Sequence, residues 1–510
     1  MRLGFSPVGW MSTKAGRWLG VAAALLAAAL VYFSWLGVPR SRVETPRLVL
    51  LLSIDTLRAD RVGPQGDAPS ATPHLDKLAS VSRRFTQARS PIPLTLPSHG
   101  SMLTGLYPMH HGSHDNGQPL ESGMTLPELL QASGWKTAGF VSAAVLDSRF
   151  GIARGFETYD DTWIRRGPRQ GVEQRGCEEV NAAAVRWLDT SGDSPRFVFV
   201  HYFEPHRDYL PPSPFKERFE GDPYRGEVAF ADHCAGALLG ALATRELLHD
   251  ALVVITSDHG EGLGEHHEVT HGLLAYESTQ HIPLLIKPPG STRASVDERF
   301  VSLVDIAPTI LSVLGVDAQQ PMDGVDLFAE PSEEARVLWA QGRLPGGWSG
   351  TPVAAAYRDP LKYIHGLRPE LFDLRADLGE ERNLVVDRPR DAEALAAALA
   401  ESGVLNAMQS APAEALDPRT REMLLALGYA SEETPSAAAP PALDPKDFAR
   451  AYYRYVGLKG TVGVQSRLPR EERDAELVRA VEREARRLQE QLPEVEALAT
   501  VAADARRLLE

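Results

Sequence analysis

Leu48-Val49-Leu50-Leu51-Leu52-Ser53-Ile54-Asp55 is an almost unbroken aliphatic run that ends on a carboxylate. The pattern returns at Ala251-Leu252-Val253-Val254-Ile255, which leads through Thr256 into Ser257-Asp258-His259. Short runs that are apolar on both faces and stop at polar groups read as buried strands of a parallel sheet. A third run, 197–200, leads into His201-Tyr202-Phe203-Glu204-Pro205-His206, and a fourth covers 282–286. Helix-period segments lie between them: Leu75, Leu78, Ala79, Val81 and Phe85, then 126–132, then 180–188. Strands alternating with helices predict an α/β fold whose central, mostly parallel sheet is covered on both faces. Ligand groups in such sheets gather beyond the carboxyl ends of the strands, where Asp55, Asp258 and His206 fall.

The chain has 510 residues, 43% hydrophobic and 24% charged, which implies several domains around a large core. Lys and Arg number 53 against 68 Asp and Glu, for a net charge of −15. That sign excludes a reader of the nucleic-acid backbone. Cys177 and Cys234 are too few for a disulfide framework, and one bridge outside the cytosol stays open because cysteine distance is not legible in sequence. Residues 18–39 carry no charge and are long enough to cross a membrane. Arg2, Lys14 and Arg17 precede them, so 1–17 is expected in the cytoplasm, 18–39 as a transmembrane anchor, and the catalytic domain outside the cytosol, in the periplasm if the source is bacterial. A cleaved signal peptide is the alternative, but the apolar run continues past Ala27-Ala28-Ala29. The expected organisation continues with a catalytic core over 46–330, a smaller C-terminal subdomain over 331–430, a linker rich in Ala, Pro and Ser over 431–445, and a helical tail over 446–510. Within the subdomain, Tyr363-Ile364 reads as a strand and 392–400 as a helix. In the tail, Leu477, Val481, Ala485, Leu488 and Leu492 form one apolar stripe, expected to make a helical hairpin that offers a protein partner a surface.

Pro93-Leu94-Thr95-Leu96-Pro97-Ser98-His99-Gly100 places the Thr95 hydroxyl at the start of a short apolar helix, where amides and the helix dipole favour an anion. A capping threonine has the same local signature. Asp55, Asp258 and His259 are the hard and borderline donors that hold a divalent metal, most simply Zn²⁺, with Mn²⁺ or Ca²⁺ as alternatives. With the Thr95 oxygen they make a four-coordinate site, and the cation lowers the pKa of the hydroxyl and offsets charge on a transferring phosphoryl group. His206 and His271 are expected to hold substrate oxygens or the leaving group, or to join a second metal. His110, His111, His114, His266 and His267 read as solvated loop histidines.

Several motifs in one order resemble the sulfatase branch of the alkaline phosphatase superfamily. They are Asp55-Thr56-Leu57-Arg58-Ala59-Asp60, Thr72-Pro73-His74-Leu75-Asp76, the segment 94–105, Thr256-Ser257-Asp258-His259-Gly260-Glu261, Asp305-Ile306-Ala307-Pro308-Thr309, Asp323-Gly324 and Leu371-Phe372-Asp373-Leu374 with Glu381 and Asn383-Leu384. The resemblance covers about 46–430 and implies an α/β sandwich with a metal site at the carboxyl ends of the central strands. Where sulfatases of the usual kind carry a Cys or Ser converted to formylglycine, and an Arg four residues on, this chain has Thr95 and His99. Thr56 replaces the second Asp of the family's pair, and His271 and His281 stand for its later Lys and Arg. Asp258-His259-Gly260-Glu261 followed by His271-Gly272 is similar to the phosphoethanolamine and glycerophosphate transferases and nucleotide phosphodiesterases, which use a threonine nucleophile on Zn²⁺ or Mn²⁺. The expected function is a metal-dependent hydrolase or transferase of phosphate esters through a covalent Thr95 intermediate. A sulfuric ester hydrolase working without formylglycine and a catalytically silent scaffold are the alternatives.

Overall fold

Every residue of β1 (Leu48–Ile54) is buried, which requires cover on both faces of the sheet it joins. In the computed structural model, which describes residues 45–63, 70–161, 175–332, 335–342, 351, 353–410, 443–493 and 495–510, that sheet has eight strands. After β1 come β2 (Arg83–Arg89), β3 (Lys136–Phe140), β4 (Thr158–Asp160), β5 (Arg196–Tyr202), β6 (Leu252–Thr256), β7 (His281–Lys287) and β8 (Ser295–Ser302). Their spatial order is β4-β3-β5-β1-β6-β7-β2-β8. The block from β4 to β6 is parallel, as is the β2–β8 pair. β7 runs antiparallel to both of its neighbours. The reason is the β6–β7 connection: it stays at the carboxyl end of the sheet without a crossover helix, so the next strand must run back.

Alternation along β1 divides the core. Val49 and Leu51 pack with Leu96, Met102 and Leu103 of helix Thr95–Thr104 and with helix Ile306–Leu314. Leu48, Leu50, Leu52 and Ile54 pack against helices Pro73–Ala79, Cys177–Thr190 and Pro223–Thr244. A Cys177–Cys234 disulfide joins the last two. The stripe from Leu75 to Phe85 is not one helix. The helix ends at Ala79, a turn carries Val81, and Phe85 lies in β2; the turn preserves helical spacing by coincidence of length.

A second, antiparallel sheet contains β9 (Leu338–Gln341), β10 (Ala354–Arg358), β11 (Leu361–His365) and β12 (Glu370–Asp373) in the order β12-β11-β10-β9. One face packs on helix Pro389–Glu401. The other packs on the tail. The tail is not a hairpin but three helices, Pro445–Arg467, Ala475–Gln491 and Glu496–Leu509. The first begins inside the stretch read as linker, because the Asp444 side chain accepts from the Lys446 amide and Pro445 takes the first helical position. Val478, Val481, Ala485 and Leu488 are buried against the second sheet and the neighbouring helices, while Leu477 is 41% exposed. The apolar stripe expected to face a protein partner is therefore covered from within the chain. Among the described residues no helix is long and apolar enough to cross a membrane; the anticipated anchor, 18–39, lies outside them, as does 411–442, which takes in most of the expected linker.

Buried charge ties the two sheets together. Arg89 Nε lies 2.6 Å from Glu277 Oε2, and Lys362 Nζ lies 3.0 Å from Glu277 Oε1 and 2.6 Å from Glu380 Oε1. Burial acts to raise the Glu277 pKa, but Arg89 and Lys362 outweigh it and hold the carboxyl below its ordinary range. A folded pKa lowered in this way stabilises the protein fully above the unfolded value near 4.5, and that stability is lost as pH falls toward the folded value. Glu277→Gln is expected to destabilise the fold by about 3–5 kcal/mol in urea unfolding near neutral pH, because it takes the carboxylate from the buried Arg89 guanidinium and leaves Lys362 with Glu380 alone. The variant should also lose the part of the wild type's stability change below pH 4.5 that comes from Glu277, so its stability falls less steeply with acid there.

Candidate active site

The turn after β1 sets the first carboxylate. Thr56 takes a left-handed φ of 57°, a conformation that costs a β-branched residue of order 1–3 kcal/mol and persists only where its surroundings impose it. Here they do: the Thr56 amide donates to Asp258 Oδ1 (3.2 Å), the Leu57 amide to Ser257 Oγ (2.9 Å), and Tyr224 Oη to the Thr56 carbonyl (2.8 Å). The turns after β1 and β6 are thus held together, and Asp55 and Asp258 share one fully buried space with His259.

His259 Nδ1 lies 2.9 Å from the Gly260 carbonyl, which only accepts, so Nδ1 carries the proton and Nε2 a lone pair. That lone pair sits 3.4 Å from Asp258 Oδ2 and 3.9 Å from Asp55 Oδ1. Neither Asp55 oxygen, nor Asp258 Oδ2, nor His259 Nε2 has a hydrogen-bond partner. Burial pushes Asp55 well up, with Asp258 and Glu261 adding repulsion, and burial holds His259 well below its usual range. A buried set of donor atoms facing one another without hydrogen-bond partners is the environment a divalent cation resolves, and two carboxylates with one imidazole are donors suited to Zn²⁺.

Two histidines adjoin this cluster that the sequence reading did not place there. His201, the penultimate residue of β5, has Nε2 3.6 Å from Asp55 Oδ2. Ser142 Oγ donates to the His201 carbonyl (3.0 Å) and lies 3.4 Å from Nδ1, an arrangement that puts the ring proton on Nδ1 and turns the Nε2 lone pair toward Asp55. Alternation carries the signal that would have found it: Phe197, Phe199 and His201 share one face of β5, and Phe197 and Phe199 pack in the core layer that includes the Thr95 helix. His99 lies with its Nδ1 3.8 Å from Asp258 Oδ2. Both of its ring nitrogens are engaged, however, Nδ1 donating to the Thr95 carbonyl (2.6 Å) and Nε2 accepting from Ser53 Oγ (2.9 Å). His99 therefore fastens the turn that bears Thr95 beside the cluster and has no lone pair left for a metal.

Thr95 opens the helix Thr95–Thr104, with Leu94 as its N-cap and no side-chain cap, so the capping explanation of this residue does not hold. Nor does the helix end present a row of open amides to an anion. The Leu96 amide donates to Asn116 Oδ1 (2.9 Å), Pro97 has none, and the Ser98 amide bonds the Leu94 carbonyl (3.1 Å). On the other side of His259, the His271 ring lies 4.4 Å away and the His206 ring 5.1 Å from His271, centre to centre. His271 Nδ1 is 3.0 Å from Glu261 Oε1 and His206 Nδ1 is 2.7 Å from the Arg207 carbonyl. Burial, with His271 beside the one and Arg207 beside the other, pushes His206 and His271 each down to about 3, so both are neutral at physiological pH. His111, read as a solvated loop residue, is fully buried with Nε2 3.0 Å from Ser101 Oγ.

The sulfatase family model matches residues 47–316, more than half of the chain. The chain belongs to the sulfatase family. It is 24% identical to the uncharacterized sulfatase YidJ of Escherichia coli (strain K12), covering 66% of this chain and 83% of that protein. It is 23% identical to the multifunctional alkaline phosphatase superfamily protein PehA of Trinickia caryophylli, covering 67% of this chain and 92% of that protein. The fold is similar to that of the phosphonate monoester hydrolase of Agrobacterium radiobacter, with a TM-score of 0.60, 21% identity, and coverage of 70% of this chain and 95% of that one. In this sulfatase-family hydrolase the Asp55, Asp258 and His259 cluster should be what binds metal. Asp258→Ala or His259→Ala is expected to weaken Zn²⁺ binding by ~100-fold or more in calorimetric titration, beyond the loss typical of outer partners, whereas His99→Ala should retain it.

Proposed function

We propose that this sulfatase-family hydrolase cleaves phosphate esters, with the Thr95 hydroxyl as nucleophile and a phospho-threonine intermediate that water then resolves. The observation that carries the reading is the partnerless buried set of Asp55, Asp258 and His259 beside His99, whose Nδ1 bonds the Thr95 carbonyl and lies 3.8 Å from Asp258 Oδ2. A divalent cation held by those three residues supplies what the side chains lack, a lowered hydroxyl pKa and neutralisation of charge on the transferring group. Asp55 and Asp258 contribute the negative charge that fixes such an ion, and His259 presents Nε2 because Gly260 takes its other proton. His206 and His271 are the groups within reach of the ester oxygens or the leaving group, or of a second cation, with Glu261 orienting His271. Threonine cannot become formylglycine, which argues against the usual sulfatase route.

Charge narrows the substrate further. Burial holds His99, His201, His206, His259 and His271 below their usual range, so these rings bring no positive charge to the cluster. Such a site suits a singly charged ester, a phosphodiester or phosphonate monoester, better than a doubly charged phosphate monoester. The phosphonate monoester hydrolase named in the structural comparison is consistent with that choice. The uncharged segment 18–39 and the Cys177–Cys234 bridge support a membrane-anchored enzyme whose catalytic domain works outside the cytosol, since such bridges persist in oxidising compartments.

Turnover of matched 4-nitrophenyl phosphodiester, phosphate monoester and sulfate by the zinc-loaded protein tests this. The diester should be preferred and Thr95→Ala should lower its kcat/KM by about 10³-fold or more. A sulfate-only profile would replace this reading with a sulfatase that works without formylglycine. Unchanged activity in Thr95→Ala together with no bound metal would leave a silent scaffold.

A further inference from the structure

We infer that the C-terminal helix Pro445–Arg467 is a working part of the active site, and that Tyr453 is a positioning residue for His271. The family model ends at residue 316, and this helix lies well beyond it. The loop between β6 and β7 carries Glu261 and His271 and, beyond its short helices at Glu265–His267 and Glu277–Gln280, has little regular structure of its own. Something else must hold it still, because a displacement of about 1 Å at a reacting group costs on the order of 100-fold in rate.

Tyr453 supplies that hold from the buried side. Its hydroxyl lies 2.6 Å from Glu268 Oε1 and 3.4 Å from the His271 carbonyl, so one group meets both ends of the segment 268–271. The Glu268 carboxylate is fully buried, and the same Oε1 also accepts from the Leu273 and Leu274 amides at 3.2 and 3.1 Å. It thereby fixes the backbone on both sides of His271. The opposite arm of the loop is pinned against this one: the Gly262 amide donates to the Thr270 carbonyl (2.8 Å), and a Cβ at residue 262 would come within 2.5 Å of that oxygen. The same helix grips the loop a second time. Lys446 Nζ is 3.2 Å from Glu370 Oε2, which accepts from Tyr276 Oη (2.8 Å), and the Tyr276 ring stacks on His266 at 3.7 Å. The imidazole of His271 then passes the constraint to the site, 3.0 Å from Glu261 and ring to ring with His259.

This inference rests on the reading of His271 as a substrate- or cation-facing group, and the experiment separates the two. In the full-length zinc-loaded protein, Tyr453→Phe removes one oxygen and leaves the ring in its core. It should leave Zn²⁺ content unchanged and lower kcat/KM for bis(4-nitrophenyl) phosphate, and the affinity for inorganic phosphate by calorimetry, by roughly 10-fold or more. In a His271→Ala background the same substitution should cost nothing further, since its effect passes through that ring. An equal loss in both backgrounds would mark Tyr453 as merely structural and overturn the inference. A loss in His271→Ala with none in Tyr453→Phe overturns it while leaving the role of His271 intact. No loss in His271→Ala overturns the reading of His271 and this inference with it. Lys446→Met, at the second grip, carries the same comparison without opening the core, and a smaller effect of the same dependence on His271 is expected.

Discussion

Two carboxyl groups and an imidazole lone pair face one another in a fully buried space without hydrogen-bond partners, and the turns at the sheet's carboxyl end are arranged to keep them there. Burial pushes Asp55 and Asp258 upward, with the neighbouring carboxylates adding to the rise of Asp55, and burial pushes His259 downward. The chain tolerates this because the two strands that deliver the carboxylates are adjacent and parallel, β1 beside β6, in register from Val49 with Leu252 to Ser53 with Thr256. Their turns then cross-bond through Thr56, Leu57 and Ser257. The strain at Thr56 is the local cost of aiming Asp55 inward.

Positions at which this chain departs from the usual sulfatase pattern are mutually consistent. Thr95 replaces the formylglycine precursor, and His99, where that pattern has arginine, is too short to reach far into the site; it bonds instead to the Thr95 carbonyl and Ser53. His271 takes the place of a lysine and is oriented by Glu261. At positions 99 and 271 the change sets a ring that burial holds neutral where that pattern has a permanent cation.

The parts farthest from the chemistry in sequence are close to it in structure. The second sheet and the three tail helices form one apolar cluster with Leu273, Leu274, Ala275 and Tyr276 of the loop that bears His271. The tail's stripe was legible from Val481, Ala485 and Leu488, but its destination was not, because an amphipathic period states that a face is buried without naming the surface that buries it. The same limit applies to His201. Its strand was legible from 197–200, and only the pairing of Ser53 with His201 across β1 and β5 shows that the ring stands over Asp55.

By itself the amino-acid sequence determined the class of fold and the chemical donors: aliphatic runs too apolar for a solvated face made the central strands, and those of β1, β5 and β6 led into the Asp or His that a strand's carboxyl end presents. It also placed Thr95 at the first residue of a helix through the Leu94 to Ser98 pattern. Only the tertiary structure decided which donors meet. The antiparallel return of β7 is set by the packing of elements, and strand order, the closing of Cys177 on Cys234 across 57 positions and the reach of Tyr453 to Glu268 across 185 all join residues far apart in the chain. Contacts of that range depend on how whole elements pack, and no local pattern of residues encodes them.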